Sequence, residues 1–252
     1  MKIINQIGSV ILLIATLSCS KSDNKTVNLQ SNCLPTNLQN GVIAFYPFSN
    51  GSINDFSGNN HNLTNSTTAN SGEDRSGNPN CAFNFVAANG DFLKHVNPTF
   101  LNDIQNGPFS ISIWYNSLDV VGNLLTRGNI SGNCRGGFGE WSLVLYDGNA
   151  PSLFINSYRI IGTPLDGSLQ INEWHHLVVT CNISDLKVYQ DGVLIEDSEN
   201  VACASPASPS LNIGDLYLGE NLTGKLDDVI IYNRLLSQTE ISQLYNLPTC
   251  CQ

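Results

Sequence analysis

Charge is scarce in this chain. Only 13% of its 252 residues are charged, with 11 Lys and Arg against 21 Asp and Glu, a net charge of −10. A basic footprint for phosphate is missing, which argues against nucleic acid as a partner. Also missing is an apolar run long enough to span a bilayer permanently. The sequence holds no Gly-x-Ser-x-Gly, no His-Glu-x-x-His, no Walker loop and no Cys-x-x-Cys, so the common hydrolase, zincin, nucleotide and zinc-ribbon signatures are absent. Helical periodicity is absent until the last 20 residues, and no βαβ rhythm appears anywhere. The polarity comes instead from Asn, Ser and Thr, with 21 glycines to turn the chain.

Short strands separated by turn formers are what remains. Gly41–Phe48 (GVIAFYPF) is a first strand, apolar on both faces. The Asn-, Gly- and Ser-rich NGSINDFSGNNHNLTN that follows is a loop, with Asp55 its only acid. Cys81–Phe85 and Asp91–Val96 are further short strands. In Phe109–Asn116, Phe109, Ile111, Ile113 and Tyr115 face one way and Ser110, Ser112, Trp114 and Asn116 the other. Trp174–Cys181 is another strong strand, and Asp191-Gly192 marks a two-residue hairpin. Lys225–Tyr232 (KLDDVIIY) closes the strand series, with two acids inside an apolar run. The tail is a helix: Ser237-Gln238-Thr239-Glu240 is a capping box, Leu236 and Ile241 form its staple, and Ile241, Leu244 and Tyr245 form one stripe. This pattern predicts an all-β, antiparallel two-sheet jelly-roll sandwich with one short C-terminal helix.

The N-terminus carries Lys2, the apolar run Val10–Leu17, and then Ser18-Cys19. It resembles a bacterial lipoprotein signal, with Thr16 where the pattern favours Leu. The resemblance implies cleavage before Cys19 and acylation of its thiol, hence a lipid anchor at the bacterial outer membrane, on its periplasmic or its outer face. Polar residues then form a tether. The expected division is a signal peptide over 1–18, an anchored tether over 19–40 and one domain over 41–252.

Five segments in order, GVIAFYPFSNGSINDFSGNNHN, DRSGNPNCAFNF, FSISIWYN, EWHHLVVT with LKVYQDGVLI, and GKLDDVIIYNRLLSQTEISQLY, resemble the laminin G-like, concanavalin A-like lectin/glucanase domain of secreted bacterial proteins. Members are mostly glycan- or protein-binding modules, and many hold structural Ca²⁺. The resemblance implies a calcium site joining the Asp55 loop, with oxygens from Ser57–Asn60 and Asn60 itself, to Asp227 or Asp228. Neighbouring strand residues face opposite sides, so one acid of that pair is expected to bind, with Asp227 favoured. The other reading has these acids capping turns or pairing with Lys225 or Arg234.

The related glycosidases need two carboxyls about 5 Å apart on a Glu-x-Asp-x-Glu strand, and no segment carries that pattern. Glu196-Asp197-Ser198-Glu199 has the wrong order and follows a hairpin. The expected function is a non-catalytic, surface-anchored binding module for a glycan or a cell-surface protein. A polysaccharide hydrolase of the same fold and a structural envelope subunit are the alternatives. Trp141, Tyr158 and Arg135 are candidate ligand contacts, the last in the Gly-rich Gly132–Trp141 loop. With Cys19 set aside, seven cysteines remain. Cys33 with Cys250 or Cys251 brackets the domain, and Cys181 with Cys203 spans the hairpin.

Overall fold

The structure, a computed structural model, describes residues 33–102, 104, 107–128, 140–146, 150–155, 158–162, 171–182, 185–198 and 214–251. Among these residues the chain forms α1 (Thr36–Gln39), β1 (Val42–Tyr46), β2 (Asn70–Gly72), β3 (Ala82–Phe85), β4 (Leu93–His95), β5 (Pro108–Ser117), β6 (Gly122–Arg127), β7 (Trp141–Tyr146), β8 (Ala150–Ile155), β9 (Tyr158–Ile161), β10 (Trp174–Asn182), β11 (Asp185–Gln190), β12 (Val193–Ser198), β13 (Leu216–Leu218), β14 (Gly224–Tyr232) and α2 (Gln238–Tyr245). They make two antiparallel sheets, the expected sandwich. The larger has the order β12-β11-β10-β5-β14-β3-β2, with β1 also on β14; the smaller runs β4-β13-β6-β7-β8-β9.

The alternation in β5 is what builds two cores. Phe109, Ile111, Ile113 and Tyr115 pack between the sheets with Leu143, Leu145, Leu153, Val179, Leu218 and Val229. The opposite face of the larger sheet would be wet in a bare sandwich. Here Phe45, Val178, Ile230 and Tyr232 on that face meet Leu34, Leu38, Leu236, Ile241 and Leu244 in a second cluster. The helix α2 is therefore a lid on the outer face. Its capping box forms as expected: Ser237 Oγ accepts from the Glu240 amide, and the Glu240 carboxylate accepts from the Ser237 amide. Asp191 and Gly192 both take positive φ at the β11–β12 turn, as a two-residue hairpin of this twist requires.

One boundary differs from expectation. Residues 33–40, assigned to the tether, belong to the folded domain. Leu38 is fully buried, and Cys33 is bonded to Cys250. Two leucines, Leu34 and Leu38, in an otherwise polar stretch carry no sustained period, so sequence pattern alone leaves them outside.

Candidate functional site

The two acids of β14 sit where its ladder changes. On one side β14 pairs with β5, and the register moves from Asp227 opposite Trp114 to Ile230 opposite Ser112. Three steps on β14 match two on β5, which is a β-bulge. On its other side β14 pairs with β3 through Gly224–Leu226 and with β1 through Val229–Tyr232. The bulge falls at the handover, and Asp228 takes φ 44° there. Such a bulge re-aims side chains. Expecting Asp227 and Asp228 on opposite faces is therefore incorrect: both carboxylates turn to one side and meet the same cation.

That cation is Arg75. Its Nη1 donates to Asp227 Oδ2 at 2.9 Å and to Asp228 Oδ2 at 2.8 Å, and its Nη2 donates to the Leu247 carbonyl at 3.2 Å. The guanidinium lies 4.3 Å over the Trp114 ring, and Trp114 stacks on Tyr245 of α2. The turn that presents Arg75 is tied by Asp74, whose carboxylate accepts from the Ser76 and Asn78 amides and from Asn78 Nδ2. Below Arg75, His176 Nε2 bonds Ser112 Oγ at 2.8 Å. A cavity of about 20 Å³ is lined by Arg75, Ser112, Trp114, His176, Asp228 and Cys250. His176 Nδ1 is buried there without a partner among the described residues, and the space suits one water.

Burial sets the electrostatics. It raises the pKa of Asp227 well above the usual carboxylate value, helped by the neighbouring Asp228 charge and opposed by Arg75. Burial also raises Asp228, again against Arg75. One guanidinium does not fully compensate two desolvated carboxylates, which is the direction both shifts share. Burial lowers His176 to about 3, with Arg75 adding to the effect and Asp191 opposing it, so this imidazole is neutral at physiological pH.

A family model described as the concanavalin A-like lectin/glucanases superfamily matches residues 89–242. The chain belongs to this superfamily. A comparison with curated protein sequences finds no match. Among solved structures, domain 4 of AbnA, an extracellular GH43 arabinanase of Geobacillus stearothermophilus in complex with arabinotriose, aligns at TM-score 0.61 and 19% identity. That alignment covers 81% of this chain and 98% of that one. The binding domain of Paraclostridial Mosquitocidal Protein 1 aligns at 0.62 and 22% identity over 83% and 52%. The receptor binding domain of botulinum neurotoxin C/D mosaic serotype aligns at 0.61 and 18% over 82% and 51%. The chain thus spans about half the length of the two toxin domains.

The calcium set implied for a member of this superfamily does not fit the residues present. Asp55 is 3% exposed and its oxygens are engaged. Oδ1 accepts from the Phe45 and Ser57 amides, Oδ2 from Ser57 Oγ and the His61 amide. Four donors fill the lone pairs that a cation would use. Asn60 is an exposed loop residue at φ 62°. Asp227 and Asp228 are paired with the Arg75 guanidinium instead. Of the other proposed partners, Arg234 pairs with Glu240 instead. Asp74, Cys81 and Cys251 also lie close together, but the two sulfurs are joined to each other.

Of the ligand-contact candidates, Trp141 is 1% exposed and packs in the inter-sheet core, because it falls on the inward phase of β7. Arg135, Cys19 and Cys203 lie outside the described residues, as does the side chain of Tyr158. Cys33–Cys250 forms as one of the two expected pairings, and Cys81–Cys251 takes the adjacent cysteine. Cys181 is also disulfide-bonded. The residue the sequence reading missed is Arg75. Its signal was the one basic residue of a turn that also carries Glu73 and Asp74, set against two strand acids needing a counter-charge.

Proposed function

We propose that this chain is a non-catalytic binding module for carbohydrate or a cell-surface glycoconjugate, held at the bacterial envelope by lipid on Cys19. The observation that carries the reading is the state of the buried acids. Asp55 and Asp74 hold their own turns, Asp91 accepts from Thr68 and the Val86 amide, and Asp227 with Asp228 is closed around Arg75 under α2. Retaining and inverting hydrolysis both need two carboxyls about 5–9 Å apart across an open cleft, and these acids are committed to backbone or cation. The named functions of the similar structures, receptor binding domains and a domain solved with arabinotriose, support the same reading.

The ligand surface we favour is the edge of the smaller sheet. His61 stacks on Phe100 at 3.7 Å with His95 edge-on to Phe100, and Phe92 meets Tyr217 at 5.3 Å. All five rings are partly exposed. Beside them the Lys94–Asp215 pair offers polar atoms. Apolar ring faces next to hydrogen-bonding groups suit pyranose and furanose rings. The test is a glycan array with residues 20–252, followed by titration of the best ligand. Tyr217→Ala and Phe100→Ala should each weaken binding at least tenfold. A flat array, or release of reducing ends from a polysaccharide, overturns the reading.

A further inference from the structure

Arg127 is a cation inside the sandwich with almost nothing among the described residues to hold it. It is 1% exposed and sits at the end of β6, in register with Leu216 on one side and Trp141 on the other. Directly opposed residues on antiparallel strands point to the same face, so Arg127 shares the inner face with Leu216 and Trp141. Among the described residues only its Nη2 is paired, donating to Asn102 Oδ1 at 2.8 Å. Nε and Nη1 are buried without partners, and so is Nε1 of Trp141. Burial lowers the guanidinium pKa to about 10 from 12.5, and no carboxylate opposes that shift. The group therefore stays charged at neutral pH.

Two features distinguish this from an ordinary imperfect core. First, the three orphaned donors belong to directly opposed residues of β6 and β7 that share the inner face. Second, they belong to one sign of chemistry: N–H donors around a positive charge, with no acceptor among them. A buried guanidinium without a counter-charge is costly, and a buried unpaired donor adds to that cost. From these observations we infer that Arg127 Nε and Nη1 together with Trp141 Nε1 form a buried site for one small monovalent anion, of which chloride is the abundant example. One negative charge neutralises the guanidinium. A divalent oxyanion would leave a net charge in the apolar interior, and a large carboxylate has no open route to a side chain 1% exposed. The site is separate from the Arg75 cluster, where two carboxylates already supply the negative charge.

The test is thermal unfolding of the purified domain at constant ionic strength, exchanging chloride, bromide or iodide for a large excluded anion such as gluconate. The midpoint should rise saturably with halide, by several degrees between micromolar and 100 mM. Sulfate should not reproduce that rise. Crystals grown in bromide should give an anomalous peak within hydrogen-bonding distance of Arg127 and Trp141. Arg127→Met should abolish the halide dependence. Trp141→Phe, which removes one donor and little volume, should raise the half-saturating halide concentration severalfold, and it keeps the test open should Arg127→Met not fold. Equal midpoints in halide and gluconate, or bromide soaks with no anomalous peak at these residues, would overturn the proposal. So would halide responses that are identical in wild type and both variants.

Discussion

Among the described residues two arginines are enclosed in this sandwich, and they are treated in opposite ways. Arg75 lies on the outer face of the larger sheet under α2, between two carboxylates, a carbonyl and the Trp114 ring. Arg127 lies between the sheets with one amide oxygen. The difference comes from the backbone around each. The bulge in β14 brings two successive acids to one side, which a regular ladder forbids. β6 is regular where Arg127 pairs, and its register partners Leu216 and Trp141 are core residues. Of these two guanidiniums, the one at the broken ladder is paired with carboxylates and the one on the regular ladder is not.

The strongest way to break that contrast is to remove each guanidinium in turn. Arg75→Met leaves two buried carboxylates facing each other, and should cost about 3–5 kcal/mol at pH 8 by urea denaturation. The deficit should shrink toward pH 4.5, where the raised carboxylates of the variant take up protons. Adding Asp227→Asn and Asp228→Asn should restore most of the loss. Arg127→Met in halide-free buffer should cost under about 1 kcal/mol or stabilise, because it removes an uncompensated charge. Similar costs for the two single variants would end the comparison.

The next effect is pH. His176 has its pKa depressed from 6.5 to about 3, so its contribution is complete above pH 6.5 and is lost as pH falls toward 3. The raised Asp227 and Asp228 work in the opposite sense, favouring the fold at low pH and losing that contribution as pH rises above the ordinary carboxylate value. His176→Gln keeps a partner for Ser112 and should remove an acid-side loss on the order of 3 kcal/mol between pH 7 and 4. A variant with the same pH profile as wild type would show that His176 titrates normally.

Smaller still is the lid. Ser237→Ala deletes the cap of α2 and should cost about 1 kcal/mol, with hydrogen exchange at Asp228 and Leu247 rising more than at Arg127. Smallest is a chelator. With Asp227 and Asp228 paired to Arg75 and the Asp55 carboxylate engaged by four donors, the thermal midpoint should not move in excess EDTA. A fall of several degrees would restore a stabilising metal.

Much of the architecture was legible because it rests on short-range pattern. The β5 alternation, the Asp191-Gly192 turn and the Ser237 capping box each need only a few residues, and each appears in the structure as read. The site was less legible because it rests on register. Nothing in the string KLDDVIIY announces a bulge, and without the bulge Asp227 and Asp228 point apart. The resemblance implied a metal at Asp55, and the structure has that carboxylate organising its own turn through four donors. Trp141 is a ligand contact only if its ring is exposed, and its place on β7 puts it inside.

The paired cysteines at the end of the chain have a mechanical meaning. Cys250 is joined to Cys33 and Cys251 to Cys81, so the N-terminal segment, the C-terminal segment and the start of β3 are one covalent knot. A pull applied ahead of Cys33, as on a tethered protein dragged by its ligand, enters the larger sheet at that knot. The stretch from Leu34 to β1 carries none of the load, and the β1–β14 ladder is not peeled from its end. The force is passed to β3, which is hydrogen-bonded to β14 in the middle of the sheet.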